Sequence, residues 1–103
     1  MKLVVTSRAR AQIDHQMRFS MHHHGPRTAH RTFSRVEAYL SNVVTMFPRS
    51  GRSVQGPDIY ERAVPRTPFV VIYRINEEND MVQLLGYFHH AQDRADFDPE
   101  SKG

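Results

Sequence analysis

A chain of 103 residues, 39% hydrophobic and 24% charged, is sized and composed for one soluble compact domain and leaves no room for a second. It has no apolar run near the roughly 20 residues of a membrane span, and with no cysteine it can form neither disulfides nor a thiolate metal site. The formal charge of +3 rests on 12 Arg and only two Lys, so the planar, bidentate Arg fork suggests nucleic acid or an acidic protein as partner, beside a merely solvated surface.

Leu3-Val4-Val5-Thr6 predicts a short strand, with too brief an apolar run for a signal peptide. Ser7 is the expected N-cap of a helix from Arg8 to about His24, with Ala9, Ile13, Met17 and Met21 on one face and Phe19 off it. Gly25-Pro26 ends that helix. A second helix follows, with Thr28 as expected cap. Ala29, Phe33, Val36, Leu40, Val43, Val44 and Phe47 form a continuous apolar stripe that Pro48 stops. Pro48 to Pro57 is a loop by composition, and Ile59 to Val64 a strand.

Two prolines frame the turn Pro65 to Pro68. Phe69 to Ile75 and Met81 to Phe88 then read as a hairpin, because β-branched and aromatic residues flank the turn formers Asn76, Asn79 and Asp80. The expected architecture is α+β, in the order β-α-α-β-β-β, with a helical hairpin packed on a small, mainly antiparallel sheet. One domain is expected over residues 1–95, and residues 96–103 form a polar tail expected to be flexible.

The chemistry-bearing residues are unevenly spread. Residues 1–36 carry a single acid, Asp14, among Arg8, Arg10, Arg18, Arg27, Arg31 and Arg35, so the helical hairpin is the basic face. The last strand ends in His89, His90, Gln92, Asp93 and Arg94, a polar cluster delivered to one edge of the sheet. Strand alternation should allow only one of the two histidines to serve a given site. His22-His23-His24 does not read as a metal site. Helical neighbours diverge by about 100°, so three in a row do not converge on one ion.

Four anchors recur in order: Ala9-Arg10 in the first helix, Pro48-Arg-Ser-Gly51-Arg52 after the second, Pro68-Phe69-Val70-Val71-Ile72-Tyr73-Arg74-Ile75 in the hairpin, and His89-His90-Ala91-Gln92-Asp93 at its end. Together they resemble the ParE/RelE superfamily of bacterial toxins from type II toxin–antitoxin pairs, over roughly residues 3–94. RelE-type members are ribosome-dependent mRNA endonucleases, whereas ParE-type members poison DNA gyrase.

The resemblance implies that a nuclease member carries an Arg three residues before the strand Tyr. Here that position holds Val70, which tips the reading to the ParE side. The implied function is a gyrase-binding toxin of the cytoplasm, neutralised by a cognate antitoxin in a hetero-oligomer, with no cofactor, metal or membrane. The target-facing residues are then His89, Gln92, Asp93 and Arg94, and the antitoxin-facing ones Arg8, Arg31 and Arg35. The alternatives are a RelE-like endonuclease acting on ribosome-bound mRNA through His89 or His90, Tyr87 and an Arg such as Arg74, Arg62 or Arg66, and a non-toxic interaction module on the same fold.

Overall fold

The computed structural model describes residues 1–100. Strand β1 (Lys2–Val5) leads into helix α1 (Ser7–His24) and helix α2 (Pro26–Tyr39), and α2 runs on through a π turn at Leu40–Val44. After a 3-10 turn at Pro48–Ser50 come β2 (Arg52–Ser53), β3 (Ile59–Ala63), β4 (Phe69–Asn76) and β5 (Met81–His89). The sheet order is β1-β5-β4-β3-β2, antiparallel except for the parallel pair β1 and β5. The expected α+β order thus holds, with one addition. Arg52–Ser53, expected within a loop, pairs with Tyr60 and Glu61 as a fifth strand.

Local signals set the element ends, though not always through the expected residue. Thr6, not Ser7, caps α1: its Oγ1 accepts from Ala9 N at 3.2 Å and donates to Leu84 O at 2.9 Å, so one hydroxyl serves both helix and sheet. Gly25 ends α1 at φ +85, a left-handed value that suits glycine, and it rather than Thr28 sits at the cap of α2, with Pro26 in the first turn. The hairpin turn is as expected. Asn79 N donates to Asn76 Oδ1 at 3.2 Å, and Asp80 takes a left-handed φ of +49.

The apolar stripe of α2 is buried at Ala29, Phe33, Val36, Leu40 and Val44 but not at Phe47, which is 63% exposed. The π turn explains the difference. Thr45 N reaches back five residues to Leu40 O at 3.1 Å, and the extra residue in that turn rotates everything after it. On α1, Met21 is likewise exposed. Gln16 and Ser20 take the buried positions beyond Ala9, and Ile13 and Met17 pack at the core's margin.

The sheet is apolar on both faces. Phe69, Val71, Tyr73 and Ile75 of β4 join Val82, Leu84 and Tyr87 of β5 beneath the helices. The alternate residue Ile72 joins Ile59, Leu85, Phe88 and Phe97 in a second cluster on the outer face. A bulge separates the two halves of β5. Ile72 pairs with Gly86 and Tyr73 with Leu84, which leaves Leu85 extra. Leu84 and Tyr87 are three residues apart, so in an unbulged strand strict alternation would turn Tyr87 away from the helices.

Candidate functional site

The polar end of β5 is a closed hydrogen-bonded turn. His90 N donates to Pro68 O at 2.7 Å, and Gln92 N to His89 O at 2.9 Å. Gln92 Oε1 accepts from His89 N at 2.7 Å and from Gln16 Nε2 at 3.1 Å, which fastens the turn to α1. Ala91 N donates to His89 Nδ1 at 3.1 Å. The neutral imidazole therefore carries its proton on Nε2. The strand stops at His89, so alternation no longer governs His90, and the two rings stack at 4.6 Å instead of facing opposite ways. Asp93 Oδ1 accepts from Ala95 N at 2.9 Å and closes the next bend.

Arg94 crosses to β3. Its Nε donates to Glu61 Oε1 at 2.9 Å, and its Nη1 to the carbonyls of His90 and Gln92 at 3.3 and 3.2 Å. Arg52 Nη2 donates to the other Glu61 oxygen at 2.6 Å. Burial disfavours the charged form of Glu61, but the hydrogen bonds and charges of Arg52 and Arg94 outweigh it and hold the carboxyl below the usual carboxylate range. An open cleft of about 430 Å³ lies over this group, lined by Arg52, Glu61, Ile72, His90, Asp93 and Arg94. The four residues expected to face a target, His89, Gln92, Asp93 and Arg94, are thus brought together: Gln16 holds Gln92, Glu61 holds Arg94, and backbone N–H groups of the turn hold His89 and Asp93.

The groups of the alternative RNA-cleaving set are not brought together. Tyr87 is 1% exposed, its ring 4.9 Å from Phe69 and 6.0 Å from Phe33. Its hydroxyl has no hydrogen-bond partner among the described residues, and burial pushes its pKa far up. Arg74 lies on the other face of the sheet, paired with Glu100. Its register partner is Gln83, while Tyr87 pairs with Val71, so the two also sit about 10 Å apart along β4. Arg62 covers the Tyr39 ring at 5.2 Å and donates to Ser50, and Arg66 is exposed in the turn before β4 at φ +61. Val70 is buried.

The three arginines assigned to the antitoxin also divide. Arg31 and Arg35 are exposed one turn apart on α2, on one side of the helix. Arg8 is already engaged, with its guanidinium 4.2 Å over the Phe97 ring and Nη1 donating to Asp98 O at 2.7 Å. A groove of about 250 Å³ runs between the helices and the sheet end, walled by Phe19, Ser20, His24, Thr32, Phe69 and His89. Among the described residues no group of three metal-ligating side chains converges, and His22, His23 and His24 are exposed.

Sequence reasoning passed over Glu61, Gln16 and Phe97. The first two carry no local mark, because their importance lies in partners 33 and 76 residues away. Phe97 did carry one. A lone aromatic in an otherwise polar tail needs a place to be buried.

Residues 3–94 match the model of the family described as the ParE toxin of the type II toxin–antitoxin system, parDE. No curated protein matches the sequence significantly. Among solved structures, the chain resembles one from the chromosomal ParDE toxin–antitoxin system of P. aeruginosa, at 22% identity and a TM-score of 0.66, over 86% of this chain and 95% of that one. It resembles one from the RelBE2 toxin–antitoxin complex of Mycobacterium tuberculosis at 20% identity and 0.57, over 85% and 95%. The isolated E. coli RelE toxin follows at 12% identity and 0.54, over 89% and 86%. At these identities the structural likeness establishes a shared fold.

Proposed function

This chain belongs to the ParE toxin family of type II toxin–antitoxin systems, and from that premise we propose that it acts by binding, with DNA gyrase as its target and a cognate antitoxin as its neutralising partner. The observation that carries this reading is the scatter of the groups an RNA-cleaving site would need. Proton transfer and phosphate stabilisation require the acid, base and cation within hydrogen-bond reach of one reacting centre. Here the Tyr87 hydroxyl is sealed in the core, Arg74 lies across the sheet, and Val70 stands where the phosphate-binding Arg is expected.

The polar turn from His89 to Arg94 is instead preorganised for recognition. Gln92 and Arg94 are held by hydrogen bonds to Gln16 and Glu61 and, with His90 and Asp93, border an open cleft, so docking a target costs little ordering. Two of the similar structures come from toxin–antitoxin systems, and exposed Arg31 and Arg35 suit the acidic side chains of such a partner. A gyrase target places the protein in the cytoplasm. No helix among the described residues is long and apolar enough to cross a membrane.

Two assays run side by side test this: gyrase supercoiling, and mRNA cleavage on programmed ribosomes. Inhibition of supercoiling with intact mRNA supports the reading. Ribosome-dependent cleavage transfers the protein to the RelE-like reading, and inactivity in both assays to that of a non-toxic interaction module.

A further inference from the structure

After Arg94 the chain doubles back over the outer face of the sheet, and the manner of its docking is that of a bound peptide. Phe97, 7% exposed, enters the cluster of Ile59, Ile72, Leu85 and Phe88. Gly86 forms part of the floor. A Cβ there would lie 3.0 Å from the Phe97 ring and 2.7 Å from Phe88, so the missing side chain is what admits the ring. Arg8 closes the socket from above, stacked on the ring and bonded to the Asp98 carbonyl. Three residues beyond Phe97, Glu100 pairs with Arg74. Among the described residues none of residues 91–100 belongs to a strand, so the segment can leave without breaking the sheet.

We propose that this outer face is a binding socket for a peptide segment bearing an aromatic residue with a carboxylate three positions C-terminal to it, and that the chain's own tail fills the socket until a partner segment of that chemistry displaces it. Each element of the recognition has a counterpart in the fold. The apolar cluster and the Gly86 gap take the ring, Arg8 takes the ring face and one carbonyl, and Arg74 takes the carboxylate. The open cleft between Arg52, Glu61 and Arg94 adjoins the socket and leaves room for a longer partner. Occupancy also bears on the turn that holds His89 to Arg94, since Phe97 lies three residues from Arg94 and its N–H donates to the Arg94 carbonyl at 3.1 Å. The proposal does not depend on which target the toxin recognises.

The test is complementation in trans. A labelled, end-capped peptide of residues 95–100 is titrated against the full-length Phe97→Ala chain and against the wild type, beside a control peptide with Ala in place of the Phe. The expected result is saturable binding to Phe97→Ala, at least tenfold weaker binding to the wild type, whose own tail competes at an effective concentration on the order of 1 mM, and none by the control peptide. Equal binding of the two peptides, or none by either, overturns the proposal. Should Phe97→Ala fail to fold, the wild type decides. Trypsin cleavage after Arg94 should accelerate several-fold with millimolar Phe peptide, which has no tryptic site of its own, and not with the control. Indifference of that rate to the Phe peptide overturns the proposal equally.

Discussion

Arg94 donates its Nε hydrogen to Glu61 Oε1 at 2.9 Å, and this link ties the segment after β5 to the middle of β3. The carboxylate is shared, since Arg52 holds its other oxygen. Arg94 can therefore serve a target directly, through its position at the cleft, or indirectly, by fixing the turn that presents His89 and Gln92. Two substitutions distinguish these roles. Arg94→Ala should abolish growth arrest while antitoxin binding persists, at a stability cost of about 1 kcal/mol for a partly exposed pair. Glu61→Gln keeps the cation and loosens only its anchor, and should leave most of the toxicity in place. Equal loss of growth arrest in both variants would reduce Arg94 to a positioning residue. Truncation after Phe88 is the poorer test, because it also removes Phe97 from the outer cluster.

The same pair gives a pH dependence with a definite sign. The Glu61 carboxyl is held below its ordinary value in the folded state, so its ionised form favours folding. That contribution is fully present above the unfolded value, about 4.3 for Glu, and is lost as the pH falls through the lower folded value. Denaturant titrations of the wild type and Glu61→Gln from neutral to acid pH should therefore show a stability gap that closes only below about pH 4. A gap that widens on acidification would contradict the assignment.

Tyr87→Phe separates the two toxin mechanisms in one change. The hydroxyl is buried without a partner among the described residues, so deleting it leaves the packing intact and should change stability by no more than about 1 kcal/mol, in the favourable direction. On the binding mechanism growth arrest is unchanged. On the nuclease mechanism, with Tyr87 as a proton carrier, it collapses. Purified wild type should likewise leave naked RNA uncut in the absence of metal, and robust cleavage lost on His89→Ala would favour the enzyme.

Charge reversal on α2 probes the proposed antitoxin face. Arg31 and Arg35 are exposed and one turn apart, positions that steer an acidic segment without being buried by it. The double variant Arg31→Glu, Arg35→Glu should slow association at least tenfold at low ionic strength and flatten its salt dependence, with little change in Tm. Stopped-flow association across a salt series reads both. An unchanged series would remove these residues from the interface. Arg8 is a weaker probe, since its substitution also releases the Phe97 ring.

Most elements could be read from the chain because their signals are local. The run Phe69 to Ile75 is β-branched and aromatic throughout, and the stripe from Ala29 to Leu40 keeps a helical period. Each pattern marks its own backbone state and the face it buries. Gly25-Pro26 and the Asn and Asp of the hairpin turn act through their own dihedral preferences, so they too read correctly. The clustering of His89, Gln92, Asp93 and Arg94 followed from their closeness in sequence. Phe47 shows where locality ends. A period assumed constant buried it, and one π turn at Leu40–Val44 turned it to solvent.

The sequence by itself determined the order of the two helices and of every strand except β2, the basic helical hairpin and the motifs of the family, because each is written in residues close together along the chain. The tertiary structure alone decided that β1 lies parallel to β5, that the bulge at Leu85 turns Tyr87 beneath the helices, that Glu61 anchors Arg94, and that Phe97 closes the outer face over Gly86. The physical reason is that these contacts join residues well separated along the chain, from 11 positions for Gly86 and Phe97 to 79 for Lys2 and Met81. Their geometry depends on strand register, and a single extra residue reverses which face every later side chain meets.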